Sequence, residues 1–277
     1  MTVLVTGARG RVGRAVLHRL GDAGVPVRAA SATAEADPAG GEPPVHLDLD
    51  DPDTFPAALK GIRRVFLYAR PGTAERFVRE AADAGVEHVA LLSSLAIDAD
   101  DAQDSPIARL HLEVEEALRA SALSWTFVRP GAFATNALQW AAPIRAGRSV
   151  RLAYPDTYSE PVHEGDLADV AVRALLDDAH RGAVLRITGP ESLSARRQAE
   201  LIGQAAGVRV AVERIGREEQ RAQLAAVLPE AFADTMLTYQ EQRDGRPGTP
   251  LPDAERVLGR STVSFAAWAR EHAAAFR

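Results

Sequence analysis

A chain of 277 residues, 46% hydrophobic and 25% charged, carries enough apolar material for a large core and has ordinary globular composition. The formal charge of -6 argues against nucleic acid as the main partner, since duplex binders concentrate basic surface. The absence of cysteine excludes a disulfide framework, Cys-ligated zinc and thiol catalysis.

Residues 2–6 (Thr-Val-Leu-Val-Thr) form a short apolar run that ends at Gly7, and Val12, Ala15, Val16 and Leu20 then recur at helical spacing. This start on a strand, with no apolar run near the roughly 20 residues of a membrane span, predicts a cytoplasmic protein with no membrane partner. Gly24-Val25-Pro26 closes the first helix, and a second strand is expected over 27–31. Further strands are predicted at 45–47, 64–69, 88–92 and 125–129, with helices at 53–59, 74–84 and 107–120. Such alternation implies an α/β fold, a Rossmann-type doubly wound parallel sheet with helices on both faces. After Arg129-Pro130-Gly131 the pattern loosens around Pro143, Gly147 and Pro155. A strand at 183–188 is expected to rejoin the sheet. The remainder reads as helical apart from a strand at 208–212 and a Gly/Pro-rich loop at 244–252. The expected division is a dinucleotide-binding core of residues 1–130 continued by 161–190. A smaller, mostly helical substrate-side lobe takes 131–160 and 191–277.

The turn Gly7-Ala8-Arg9-Gly10-Arg11-Val12-Gly13 lies between a strand and a helix near the chain start, the context that gives a glycine motif its meaning. Its glycines let the backbone approach a pyrophosphate, whose charge the free N–H groups and the helix dipole stabilise. Gly7, Arg9, Gly10, Arg11, Val12 and Gly13 are therefore cofactor candidates. An NAD site places an acid at the end of the second strand. Here Arg28-Ala29-Ala30-Ser31-Ala32 has none before Glu35, and Arg9 with the Ser31 hydroxyl suits a 2′-phosphate, so NADP(H) is favoured over NAD(H).

The Gly-x-x-Gly-x-x-Gly spacing resembles extended and atypical short-chain dehydrogenases/reductases. The segments His46–Asp51, Leu91-Leu92-Ser93-Ser94, Ala117–Gly131 and Pro161–Ala168 resemble NmrA-like proteins across nearly the whole chain. That resemblance implies NAD(P)H-dependent quinone or triphenylmethane-dye reduction, or a catalytically silent redox sensor. It also places Asp48 and Leu49 beside the adenine, Ala69 and Arg70 at the ribose, and Ser93 and Pro130 at the nicotinamide end.

The Tyr-x-x-x-Lys pair, in which lysine lowers the phenol pKa, is missing: no tyrosine precedes lysine by four, and Lys60 is the only lysine. Laid over the helix before Trp125, the pattern puts Ile107 at the tyrosine position and His111 at the lysine position. His111 is a candidate proton donor or ribose ligand, with a packing role as its alternative. Ser93 and Ser94, at a strand's carboxyl end, are candidates to orient a substrate oxygen or to cap the next turn. Tyr154 and His163 are further catalytic candidates, and Phe133, Asn136 and Trp140 are substrate candidates, against a core role for the aromatics. His163-Glu164-Gly165-Asp166 fits no common metal spacing, and Asp166 is expected to cap the following helix. The reading is an NAD(P)H-dependent oxidoreductase passing hydride to a hydrophobic conjugated acceptor such as a quinone, dye or imine. A non-catalytic dinucleotide sensor and a non-redox isomerase or cyclase remain as alternatives.

Overall fold

The computed structural model describes residues 1–33 and 43–277; Glu35 lies outside them. The first half alternates β1 (Val3–Val5), α1 (Arg11–Asp22), β2 (Val27–Ser31), β3 (Val45–His46), α2 (Phe55–Leu59), β4 (Arg64–Tyr68), α3 (Ala74–Asp83), β5 (His88–Leu92), α4 (Pro106–Arg119) and β6 (Ser124–Pro130). There follow α5 (Ala141–Arg145), β7 (Val150–Leu152), β8 (Tyr158–Ser159), α6 (Glu164–Leu176), β9 (Val184–Ile187) and β10 (Leu193–Ser194). The chain ends with α7 (Ala195–Ala206), β11 (Val212–Arg214), α8 (Arg217–Ala225), α9 (Glu230–Gln242), α10 (Asp253–Leu258) and α11 (Phe265–Glu271).

Seven strands form one sheet in the order β3-β2-β1-β4-β5-β6-β9, and every neighbouring pair is parallel. Parallel strands need both faces covered, which is why β5 is buried at all its residues and β4 at all but Tyr68. Phe55, Leu59, Phe77, Val78 and Leu118 close one face. Val16, Leu20, Leu167, Val170 and Leu175 close the other. The chain steps outward from β1 to β3 and then crosses back to β4 beside β1. That reversal opens a crevice at the carboxyl ends of β1 and β4, where ligands of open α/β sheets bind.

A third cluster, with Ala137, Trp140, Ile144, Val150, Ile202, Phe265, Trp268 and Phe276, forms the core of the added lobe. β7, β8 and β10 escape the sequence reading because they are two or three residues long, too short to show alternation. The strand expected at 208–212 lies instead at β11 and pairs in parallel with β7. Ala254 of α10 is buried in the cluster around α6. The Asp253 carboxylate there accepts the Arg186 N–H at 2.9 Å, which covers the edge of β9.

Candidate functional site

The crevice begins at the glycine turn. Gly7 takes φ +60, a left-handed conformation that a side chain disfavours. A Cβ on Gly13 would lie 2.3 Å from the Gly7 carbonyl oxygen, so helix and turn approach as closely as they do only because position 13 is bare. Gly10 is the N-cap of α1 and offers no side-chain cap, leaving the first N–H groups of a 12-residue helix for an anion. Thr6 ties β1 to β4, its hydroxyl donating to the Phe66 carbonyl at 3.1 Å and accepting the Tyr68 N–H at 2.7 Å. Tyr68, 55% exposed, lies against Gly7. Arg11 is exposed, whereas the Val12 side chain packs on the core, so Val12 has only its backbone to offer a ligand.

At the end of β2, Arg9 and Ser31 meet through a residue that the sequence reading passed over. The Arg9 guanidinium donates to the Thr33 hydroxyl, and the Thr33 N–H donates to the Ser31 hydroxyl at 3.2 Å. The Ser-x-Thr spacing, which returns both hydroxyls to one turn, was its available sign. Beyond β3, the Asp48 carboxylate accepts the Asp50 N–H at 2.9 Å, and Leu49 packs against the core. Ala69 is buried. Arg70 pairs with Asp50, its Nε at 2.6 Å, and this bond holds the Asp50 carboxyl below the usual range.

The ends of β5 and β6 are joined by a buried polar network that periodicity does not reveal. Glu115 on α4 is fully buried and accepts the Ser93 hydroxyl at 2.6 Å and Arg129 at 2.9 and 2.5 Å. Arg129 also reaches Asp98, which Arg186 meets at 2.6 Å. The single O–H of Ser93 is therefore engaged as a donor to Glu115. Ser94 accepts the Ala96 N–H at 3.1 Å, the capping geometry, and its own proton is not used in that bond. Pro130 ends β6 in a buried position.

His111 lies one helical turn before Glu115. Its Nδ1 is buried and has no hydrogen-bond partner; burial pushes its pKa down to about 4, against the opposing pull of Glu115. The His88 pKa is likewise lowered, chiefly by burial, with its ring between the Ser124 hydroxyl at 3.0 Å and the Ala174 carbonyl at 2.9 Å. Below the ordinary histidine pKa of about 6.5, the unfolded chain takes up protons that these two folded rings refuse. Stability should therefore fall as pH drops from about 6.5, His111 alone contributing about 3 kcal/mol by pH 4. Urea melts at pH 7 and pH 4.5 of wild type and His111→Gln test this; the variant should show the smaller loss.

On the lobe side, Asn136 is exposed and Phe133 half-buried, while Trp140 packs inside the lobe core with 8% exposure. The Tyr154 hydroxyl pKa is raised, chiefly by desolvation, with the Glu241 carboxylate adding to the shift. At 163–166 the expected roles exchange. His163 is the N-cap of α6, Nδ1 accepting the Gly165 N–H at 2.8 Å, and its Nε2 faces Glu271 at 2.9 Å. Asp166 does not cap; it sits in the first turn and accepts the Val263 N–H at 2.6 Å. Among the described residues no cluster of His, Cys, Asp or Glu is arranged to hold a metal ion, and no helix is long and apolar enough to cross a membrane.

Residues 7–178 match the NAD(P)H-binding family. A Streptomyces griseus protein named (4-alkanoyl-5-oxo-2,5-dihydrofuran-3-yl)methyl phosphate reductase is 38% identical over 99% of each chain. The NAD(P)H azoreductase of Xenophilus azovorans is 32% identical, again over 99% of each. The Escherichia coli NADPH-dependent quinone oxidoreductase, solved with NADPH, superimposes with a TM-score of 0.81 at 22% identity, covering 97% of this chain and 99% of that one. The uncapped helix and its bare glycines fit a dinucleotide pyrophosphate, and with these likenesses they make the chain a member of the NAD(P)H-binding family.

Proposed function

We propose that the protein is an NADPH-dependent reductase of hydrophobic, conjugated acceptors. The observation that carries the acceptor class is the α4 face where a Tyr–Lys pair would stand. It holds Ile107 and a half-buried His111 whose pKa is pushed down to about 4, so no strong acid waits for a developing alkoxide. Bound NADPH would supply the hydride. The residues of the chain hold and orient: the α1 N-terminus takes the pyrophosphate, and the ends of β5 and β6 border the nicotinamide half. Ser94, whose hydroxyl proton is not used by its cap, is placed to donate to an acceptor oxygen. Acceptors that spread charge need orientation more than acid catalysis. The relatives point the same way, one named for azo reduction and one for a dihydrofuranone whose ring bears both an alkanoyl group and a phosphate ester arm. The deciding assay is NADPH oxidation with a quinone, an azo or triphenylmethane dye and an aliphatic ketone. Tight NADPH binding without turnover of any of them would replace this reading with the non-catalytic sensor.

Preference for NADPH rests on Arg9, Thr33 and Ser31, which gather a cation and two hydroxyls where an NAD site would carry an acid. Arg9→Ala should weaken NADPH by about tenfold or more, the scale of a lost bond to a charged group, and NADH by much less. Fluorescence titration with both cofactors measures the difference. Equal losses would assign Arg9 to the shared pyrophosphate.

A further inference from the structure

An aromatic ring stands exposed at the carboxyl end of β4. This strand lies inside the sheet, paired with β1 on one side and β5 on the other, and its first four residues are buried. Tyr68, the last, is 55% exposed. A lone exposed hydrophobic on a helix face or a sheet edge needs no explanation, but a central strand covered on both faces has neither to offer. Its carboxyl end opens on the crevice, where ligands of open α/β sheets bind.

The ring is fixed there from both sides. The Tyr68 N–H donates to the Thr6 hydroxyl at 2.7 Å, which ties its backbone to the residue before Gly7. Across the sheet Tyr68 is in register with Leu92, the residue before Ser93. A Cβ built on Gly7 would lie 3.6 Å from the Tyr68 Cβ and 3.8 and 3.9 Å from two of its ring carbons. The ring therefore rests along the first residue of the glycine turn, between that turn and the end of β5. Arg9, Ser31 and Thr33 gather on the opposite side of the turn, at the end of β2. A dinucleotide whose 2′-phosphate meets those three extends its nicotinamide half past Tyr68.

We infer that Tyr68 is a cofactor-binding residue whose ring closes over the pyrophosphate and the adjoining nicotinamide ribose. The N-terminus of α1 offers the pyrophosphate donors and a dipole but no apolar wall. An aromatic ring supplies that wall, and the ribose covers surface that water now wets. The contact falls on a part common to NADPH and NADH, so it strengthens both alike, unlike that of Arg9. This inference rests on the NADPH-dependent reading above and adds the β4 side of the cofactor site to it.

The test titrates NADPH, NADH and adenosine 2′,5′-bisphosphate calorimetrically into wild type, Tyr68→Phe and Tyr68→Ala. Tyr68→Ala should weaken both dinucleotides by the same factor, about tenfold, the scale of an uncovered aromatic face. Tyr68→Phe, which keeps the ring, should stay within about threefold of wild type, and the bisphosphate, which lacks the nicotinamide half, should bind all three proteins alike. A second measurement uses wild type alone: nitration by tetranitromethane with and without saturating NADP+, read tyrosine by tyrosine by mass spectrometry. The chain has no cysteine to divert the reagent, and Tyr239, 46% exposed on α9, is the internal control. NADP+ should slow nitration of Tyr68 about fivefold or more and leave Tyr239 unchanged, while the bisphosphate protects neither. Dinucleotide affinities within twofold of wild type in Tyr68→Ala, or Tyr68 nitrated equally fast under NADP+, overturn the contact. A loss shared by the bisphosphate overturns it too, by moving Tyr68 to the adenine half. If wild type binds neither dinucleotide, the NADPH-dependent reading and the contact fall together; if it binds both and Tyr68→Ala binds them as well, the contact alone falls.

Discussion

Gly10→Asp is expected to raise the NADPH dissociation constant by at least about a hundredfold, through like-charge repulsion in a site stripped of its donors, and to leave the protein folded. Gly10 has φ -74 and ψ 159, an extended conformation open to any residue. A Cβ there would come to 3.2 Å from the Gly7 carbonyl oxygen, a contact that a few tenths of an ångström relieves. Aspartate is also a favoured N-cap, so the new carboxylate would accept the first N–H groups of α1 itself. It would thereby occupy the anion site and repel the pyrophosphate. Gly13→Ala should fail differently, because its Cβ would lie 2.3 Å from one Gly7 backbone atom and 2.9 Å from another. Helix and turn would have to separate, so both melting temperature and affinity should drop. Thermal melts beside NADPH fluorescence titrations distinguish the two, and wild-type affinity in Gly10→Asp would remove the loop from the cofactor site.

The difference between those two glycines was not readable from their spacing, although the loop itself was. Strand β5 stood at its expected bounds because a strand buried on both faces writes a near-continuous apolar run between turn residues. The phosphate turn was legible for a similar reason: a local backbone requirement fixes a local sequence. What escaped was non-local. Thr33 joins Arg9 across 24 positions, and Glu115 joins Ser93 across 22. A carboxylate on a helix otherwise suggests a solvated face, and only the meeting of α4 with β5 and β6 makes Glu115 a buried acceptor. The same limit explains 163–166, where histidine caps α6 and the aspartate bonds a residue nearly a hundred positions later. Short polar side chains favour such caps on average, but the choice between neighbours depends on which donors the distant chain brings.

The remaining large effect is in the acceptor preference. A positioned general acid is worth roughly 10² to 10⁴ in rate, and a simple ketone reduced here would have to manage without one. With its pKa down to about 4, His111 is protonated in only about one molecule in a thousand at pH 7, and a neutral imidazole is a poor proton source. Tyr154, its hydroxyl pKa raised by desolvation and by the Glu241 carboxylate, is no better, and the His163 Nδ1 is engaged in capping. Quinones, azo dyes and iminium-like dyes delocalise the incoming negative charge or already carry a compensating positive one, so kcat/KM with a quinone should exceed that with an aliphatic ketone by about 10² or more. The sign of the His111 shift also fixes the pH dependence. Because its titration lies near 4, the quinone rate should show no His111 inflection between pH 5.5 and 8.5. His111→Ala should change the rate modestly and leave the shape of the profile alone, as expected of a ring that orients without transferring a proton. The measurement is a pH–rate profile of wild type and His111→Ala with menadione and an aliphatic ketone. An inflection near pH 6.5 that vanishes in His111→Ala would make the histidine a proton donor despite its burial. Efficient ketone reduction that survives the substitution would instead require an acid elsewhere, with the Ser94 hydroxyl, whose proton its cap does not use, the next group to replace.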